Sequence, residues 1–121
     1  MKVAISAQGP DQNSEVSPHI GTTTYLVVFD SDAGGITARR NRPAGARSGR
    51  EAEIEAAMSV AELGVEAVIT GCIGPDAFSA LDAAGIVIYI GASGTVRHAT
   101  QQYTAGQLPC AIAPNVEANT T

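Results

Sequence analysis

Two consecutive stretches, "EAVITGCIGPDAFSALDAAG" and "IVIYIGASGTVRHATQQYTAG", share one local pattern: a short β-branched run, a glycine-bracketed turn, and then helical periodicity. A strand that runs into a helix and on into another such strand must return by a crossover, and a crossover makes the two strands parallel. This pattern confines the chain to the α/β class.

The remaining elements are read around that unit. "KVAIS" (2–6) is an apolar run that ends in the polar, turn-rich "AQGPDQNSEVSPHIG". "TYLVVFD" (24–30) meets "GITA" (35–38) across "SDAGG", whose Gly34 and Gly35 suit a hairpin. "SGREAEIEAAMSVAELG" reads as a helix with capping-box spacing at Ser48 and Glu51, an inner face of Ile54, Ala57, Met58 and Ala61, and a stop at Gly64. "EAVIT" (66–70) is a buried-strand pattern. The second helix starts at Pro75, turns Ala77, Leu81 and Ala84 inward, and ends at Gly85. "IVIYI" (86–90) is the last strand, and the third helix has Val96, Ala99 and Tyr103 on one face.

The order is β-β-β-α-β-α-β-α. Strands joined by short loops pair antiparallel, and the first strand, apolar on both faces, is the natural centre. With strands numbered along the chain, these rules predict a five-stranded mixed sheet of order 3-2-1-4-5 with helices on both faces. Residues 1–108 form one domain, and "PCAIAPNVEANTT" (109–121), with two prolines and no periodicity, reads as a mobile tail. No internal repeat is found.

Composition narrows the function classes. No run approaches the ~20 apolar residues of a membrane span, and "MKVAISAQGP" shows no signal-peptide pattern. The expected home is the cytoplasm, with no membrane partner. Cys72 and Cys110 are the two cysteines, so there is neither a disulfide framework nor a CxxC zinc pair. The net charge is −5, yet five of the seven basic residues lie in "RRNRPAGARSGR". A basic island on an acidic body suits a local anionic partner better than nucleic acid, and a solvated loop is the plainer alternative.

In the predicted topology the loops after strands 1, 3, 4 and 5 all leave at one sheet edge, where open α/β sheets bind ligands. There, Gly71, Ile73 and Gly74 in "TGCIGP" and Gly91, Ala92, Ser93, Gly94 and Thr95 in "IGASGTV" precede helix N-termini. Free amides and the helix dipole favour an anion at such turns, and Arg39, Arg40 and Arg42 follow strand 3 at the same edge. Neither turn matches GxGxxG, and no GxxxxGK[ST] loop is present. Cys72 stands where a helix end stabilises a thiolate, and His19 lies in the loop after strand 1. One sulfur and one nitrogen are too few for a closed metal site, but they can anchor a preformed metal–sulfur cluster. The ordinary alternatives are a small packed cysteine and a loop histidine bonded to backbone. His98 and Cys110 take those ordinary readings.

The segments "VSPHIGTTTYLVVFD" and "GCIGPDAFSALDAAGIVIYIGASGTVRHATQQYTAGQL" resemble the dinitrogenase iron–molybdenum cofactor biosynthesis family, which spans NifX-like, NafY-like and orange-protein-like chains and NifB-like C-terminal domains. The resemblance rests on Ser17-Pro18-His19-x-Gly21, on Gly71-x-x-Gly74-Pro75-x-Ala77-Phe78, on Ala84-Gly85-Ile86 and on the spacing to Gly91 and Gly94. It implies a ribonuclease H-like fold, a role in binding or carrying metal–sulfur clusters, and a cluster edge made of His19 and the two glycine turns. The chain departs from the family pattern at Thr22 and Thr23, and Cys72 stands at a position the family varies.

The leading expectation is a non-enzymatic carrier or scaffold for an anionic cluster of the Mo/Cu–S or Fe–S/Fe–Mo type. Its partners are the cluster and a protein that donates or accepts it. The alternative is a module for a phosphate-containing metabolite or a protein partner at the same edge. A nuclease is not expected. Two-metal phosphoryl chemistry needs clustered carboxylates, whereas strands 1 and 4 end in Ser6-Ala7 and Thr70-Gly71, and Asp30 faces the opposite edge.

Overall fold

The centre of the molecule is β1 (Lys2–Ala7), whose residues from Val3 to Ala7 are all buried. In the computed structural model, which describes residues 2–20, 23, 25–30, 32, 34–40 and 49–111, it is followed by β2 (Tyr25–Asp30), β3 (Ile36–Arg40), α1 (Gly49–Glu62), β4 (Ala67–Ile69), α2 (Pro75–Ala83), β5 (Val87–Tyr89) and α3 (Val96–Thr104). The sheet order is β3-β2-β1-β4-β5, the order the sequence predicts. β1 pairs antiparallel with β2 and parallel with β4, β4 pairs parallel with β5, and β2 pairs antiparallel with β3. β3 is therefore parallel to β1, and Arg40, Tyr25 and Ala7 lie in line at one end of the sheet.

Burial on both faces explains why β1 is apolar throughout. Ala4, Leu26, Val68 and Ile88 pack under α1 and α2 with Val60, Ala77 and Leu81. Val3, Ile5, Val27 and Ile69 pack on the other face with Val96 and Ala99 of α3. Each fully buried Ile, Leu or Val contributes ~1.5–3 kcal/mol relative to exposure. Tyr89 and Tyr103 meet edge-on at 5.1 Å and hold α3 against β5. The predicted hairpin joins β2 to β3, with Asp30 donating its amide to the Gly35 carbonyl at 3.0 Å and accepting from Gly34 at 2.7 Å.

Three local expectations need correction. The buried face of α1 is Ala56, Ala57 and Val60, while Met58 is 57% exposed and Ala61 also faces outward. An alanine-rich helix has little contrast between its faces, so period alone does not select the seam that packs on α2. Ala84 caps the end of α2 and is exposed rather than inward. Residues 109–111 belong to the sheet edge: Pro109 accepts from the Ile90 amide at 3.0 Å and Ala111 donates to Ile88 at 2.7 Å. Ser48, the side chain of Glu51, and residues 112–121 lie outside the described residues.

At the carboxyl end of the sheet, two buried hydroxyls tie the first loop down. Ser6 Oγ donates to the Ser17 carbonyl at 2.7 Å and shares a hydrogen bond with Thr70 Oγ1 at 2.9 Å, joining β1, β4 and the loop. Buried polar groups left without a partner cost ~1–3 kcal/mol. Replacing Ser6 with Ala is expected to destabilise the fold by about that amount, seen as a lower urea midpoint at unchanged slope.

Candidate functional site

Three connections are laced together at the carboxyl edge. The loop after β1 runs back across β4: Ser17 donates its amide to Ser6 at 2.9 Å, and Cys72 donates to the Pro18 carbonyl at 2.7 Å. This second bond sets His19 beside Cys72 in a parallel bridge. The turn after β5 is pinned to the one after β4, with Gly91 donating to Gly71 at 3.0 Å and Ala92 to Thr70 at 3.3 Å. The same loop reaches α3, where Val16 donates to Gly94 at 2.8 Å. Gly71 has no room for a side chain, because a Cβ there would stand 3.0 Å from Pro18 Cα and O.

His19 is exposed and Cys72 half-buried, and the bridge sets their backbones next to one another. Among the described residues, no three His, Cys, Asp or Glu side chains converge as a metal cage. Of the other expected residues, Ile73, Gly74 and Ala92 are buried, Gly71 and Thr95 are half-exposed, and Gly91, Ser93 and Gly94 are exposed. Gly91 and Gly94 have left-handed backbone, with φ of 82° and 77°. No hydrogen bond among the described residues engages the amides of Ser93 and Gly94.

The helix ends behave differently from the simple expectation of open amides. Thr95 caps α3 by accepting the His98 amide at 3.1 Å. Val96 and Arg97 donate to the carbonyls of Ser14 and Gln12 at 2.8 and 2.9 Å. At α2, the amides of Gly74 and Ala77 donate to the carboxylate of Glu53 on α1. Gly74 permits this approach, since a Cβ there would overlap the Glu53 carboxylate. The positive end of α2 thus already holds an anion, supplied by the chain itself.

Arg39 and Arg40 are exposed at the same end of the sheet, but they stand apart from the His19–Cys72 pair. Three strand spacings, ~14 Å, separate β3 from β4. Arg42 lies outside the described residues. Two neighbours of the site escaped sequence reasoning. His98 lies over the turn, its Cδ2 3.4 Å from where a Gly94 side chain would begin. Glu53 is the other. The signal for His98 is its place one turn after the Thr95 cap; nothing local marks Glu53. Thr23 is structural: its buried hydroxyl lies 2.9 Å from the carbonyls of both Ala7 and Tyr25.

A five-stranded mixed sheet of order β3-β2-β1-β4-β5 with three helices defines the class of fold. Residues 1–106 match the family described as dinitrogenase iron-molybdenum cofactor, and the chain belongs to that family. Among solved structures it is similar to the apo form of the orange protein from Desulfovibrio gigas, at 35% identity and TM-score 0.88 over 95% of this chain and 96% of that one. It is also similar to a putative NifB protein from Thermotoga, at 30% identity and TM-score 0.74 over 88% and 90% of the two chains. An uncharacterised protein of Methanocaldococcus jannaschii is 28% identical over 109 residues, 89% of each chain. The family places the chain with iron–molybdenum cofactor biosynthesis proteins. Among the described residues, no helix is long and apolar enough to cross a membrane.

Burial and the neighbouring Asp76 push the Glu53 carboxyl above its usual range, against the opposing pull of the Gly74 and Ala77 amides and of His19. A carboxyl raised on folding binds its proton more tightly in the native state. Its contribution is therefore fullest below the unfolded value of 4.5 and is lost as pH rises through the folded value. Urea midpoints of the native chain and of Glu53→Gln, compared across acidic pH, are expected to diverge in that sense. The native chain loses stability relative to the variant as pH rises.

Proposed function

We propose that the chain is a non-enzymatic carrier for a preformed, anionic metal–sulfur cluster that docks at the carboxyl edge of β1, β4 and β5. The parallel bridge between His19 and Cys72 supports this reading, because it pairs the backbones of a residue with a nitrogen donor and a residue with a sulfur donor, one exposed and one half-buried. Two donors leave most of a cluster's own ligands in place, which suits cargo that arrives and departs whole. The Ser93 and Gly94 amides, in a turn with left-handed backbone at Gly91 and Gly94, would donate hydrogen bonds to sulfide or thiolate sulfur.

The apo orange protein and the putative NifB protein share this architecture, and membership of the cofactor family supports a metal–sulfur cargo of molybdenum–copper or iron type. A donor or acceptor protein for the cluster belongs to this reading. Catalysis does not: the strand ends that would present acids present Ser6 and Thr70, whose hydroxyls bind each other and the loop. Glu53 is engaged at the end of α2.

The test is anaerobic loading of the metal-free chain with tetrathiomolybdate and Cu(I), and separately with ferrous iron and sulfide. The expected outcome is a charge-transfer band that stays with the protein on desalting, and that weakens with loss of bound metal in His19→Ala and in Cys72→Ser. A chain that retains no colour or metal under either condition rejects the cluster carrier. It would instead favour a phosphate-containing metabolite or a protein partner at this edge.

A further inference from the structure

The two outer strands of the sheet are treated differently by the chain. The edge of β5 is sealed by residues 109–111, through the bonds from Ile90 to Pro109 and from Ala111 to Ile88 and the antiparallel bridge between Tyr89 and Cys110. No described residue seals β3. The Asp30–Gly35 bond at the hairpin fixes which of its groups are left over. In an antiparallel ladder, bonded and non-bonded pairs alternate, so Thr37 and Arg39 bond inward to Val28 and Leu26. Ile36, Ala38 and Arg40 then direct their N–H and C=O groups outward.

We propose that this edge pairs with β3 of a second copy of the chain, antiparallel about a two-fold axis at Ala38. In that register Ala38 meets Ala38 of the other copy and Ile36 meets Arg40. All three outward residues fall in bonded pairs, giving six backbone hydrogen bonds by the alternation above. Charge selects the same arrangement. The hairpin before β3 carries Asp30, at the end of β2, and the exposed Asp32, and the far end of β3 carries Arg39 and Arg40. An antiparallel mate lays each acidic end beside the basic end of its neighbour, whereas a parallel mate would stack like charges. The side chains agree as well. Ile36 is only half-buried beside Phe29, and the aliphatic stem of the facing Arg40 covers it. The two arginines therefore deter unrelated strands while accepting their own kind.

The test measures mass by light scattering and sedimentation across a concentration series. A dimer of twice the 12.3 kDa chain mass is expected. Ala38→Pro removes an outward N–H without touching the bonds to β2, and is expected to be monomeric throughout. Arg40→Glu is expected to weaken the dimer about tenfold, because it loses the stem over Ile36 and sets an acid near the acidic hairpin end of the mate, twice per dimer. Ile36→Arg combined with Arg40→Glu sets opposite charges at facing positions and is expected to restore it. If Ala38→Pro fails to fold by circular dichroism, the two charge variants decide the question. A native chain that is monomeric at every concentration overturns the proposal, as does a dimer indifferent to these substitutions.

Discussion

Parallel pairing of β1 with β4 and of β4 with β5 is the constraint from which the rest of this molecule follows. It forces three connections to leave the sheet at one end, and three loops emerging together must satisfy their backbone groups on one another. They do so closely: Cys72 bonds Pro18, Gly91 bonds Gly71, and Val16 bonds Gly94. The surface that results is a woven rim rather than a set of independent loops. Its donors are held in place by the same bonds that close the end of the barrel-less, open sheet.

Electrostatically the rim is more economical than a pair of open helix ends would be. The chain answers its own helix dipoles, α3 through Thr95 and the carbonyls of Ser14 and Gln12, and α2 through Glu53. What it presents to solvent is then a short list of specific donors rather than a diffuse positive field. An internal carboxylate next to the rim also opposes any second large negative charge arriving at α2.

The legible part of the fold was whatever is written locally. β-branched runs, glycine turns and the Pro75 helix start are short-range signals, and with the crossover rule they lead to the whole strand order. The pairing of His19 with Cys72 was legible only as shared residence at one edge, because contact depends on the return path of the loop. Glu53 was invisible for a related reason. Its partners, Gly74 and Ala77, are brought to it by the packing of α1 on α2, which no window of sequence contains. The inner face of α1 failed through low contrast, since an alanine on either side of a helix looks the same until a neighbour arrives. Residues 109–111 looked like tail because prolines suggest irregularity, yet a proline carbonyl still accepts a ladder bond at an edge.

The seal that residues 109–111 make over β5 has a consequence for assembly. A sheet with two bare edges can recruit neighbours on both sides and grow without limit into ribbons and fibrils. With β5 closed by its own chain, strand addition at that edge is blocked. Growth on both sides at once is thereby prevented, so residues 109–111 guard the sheet against extension into ribbons.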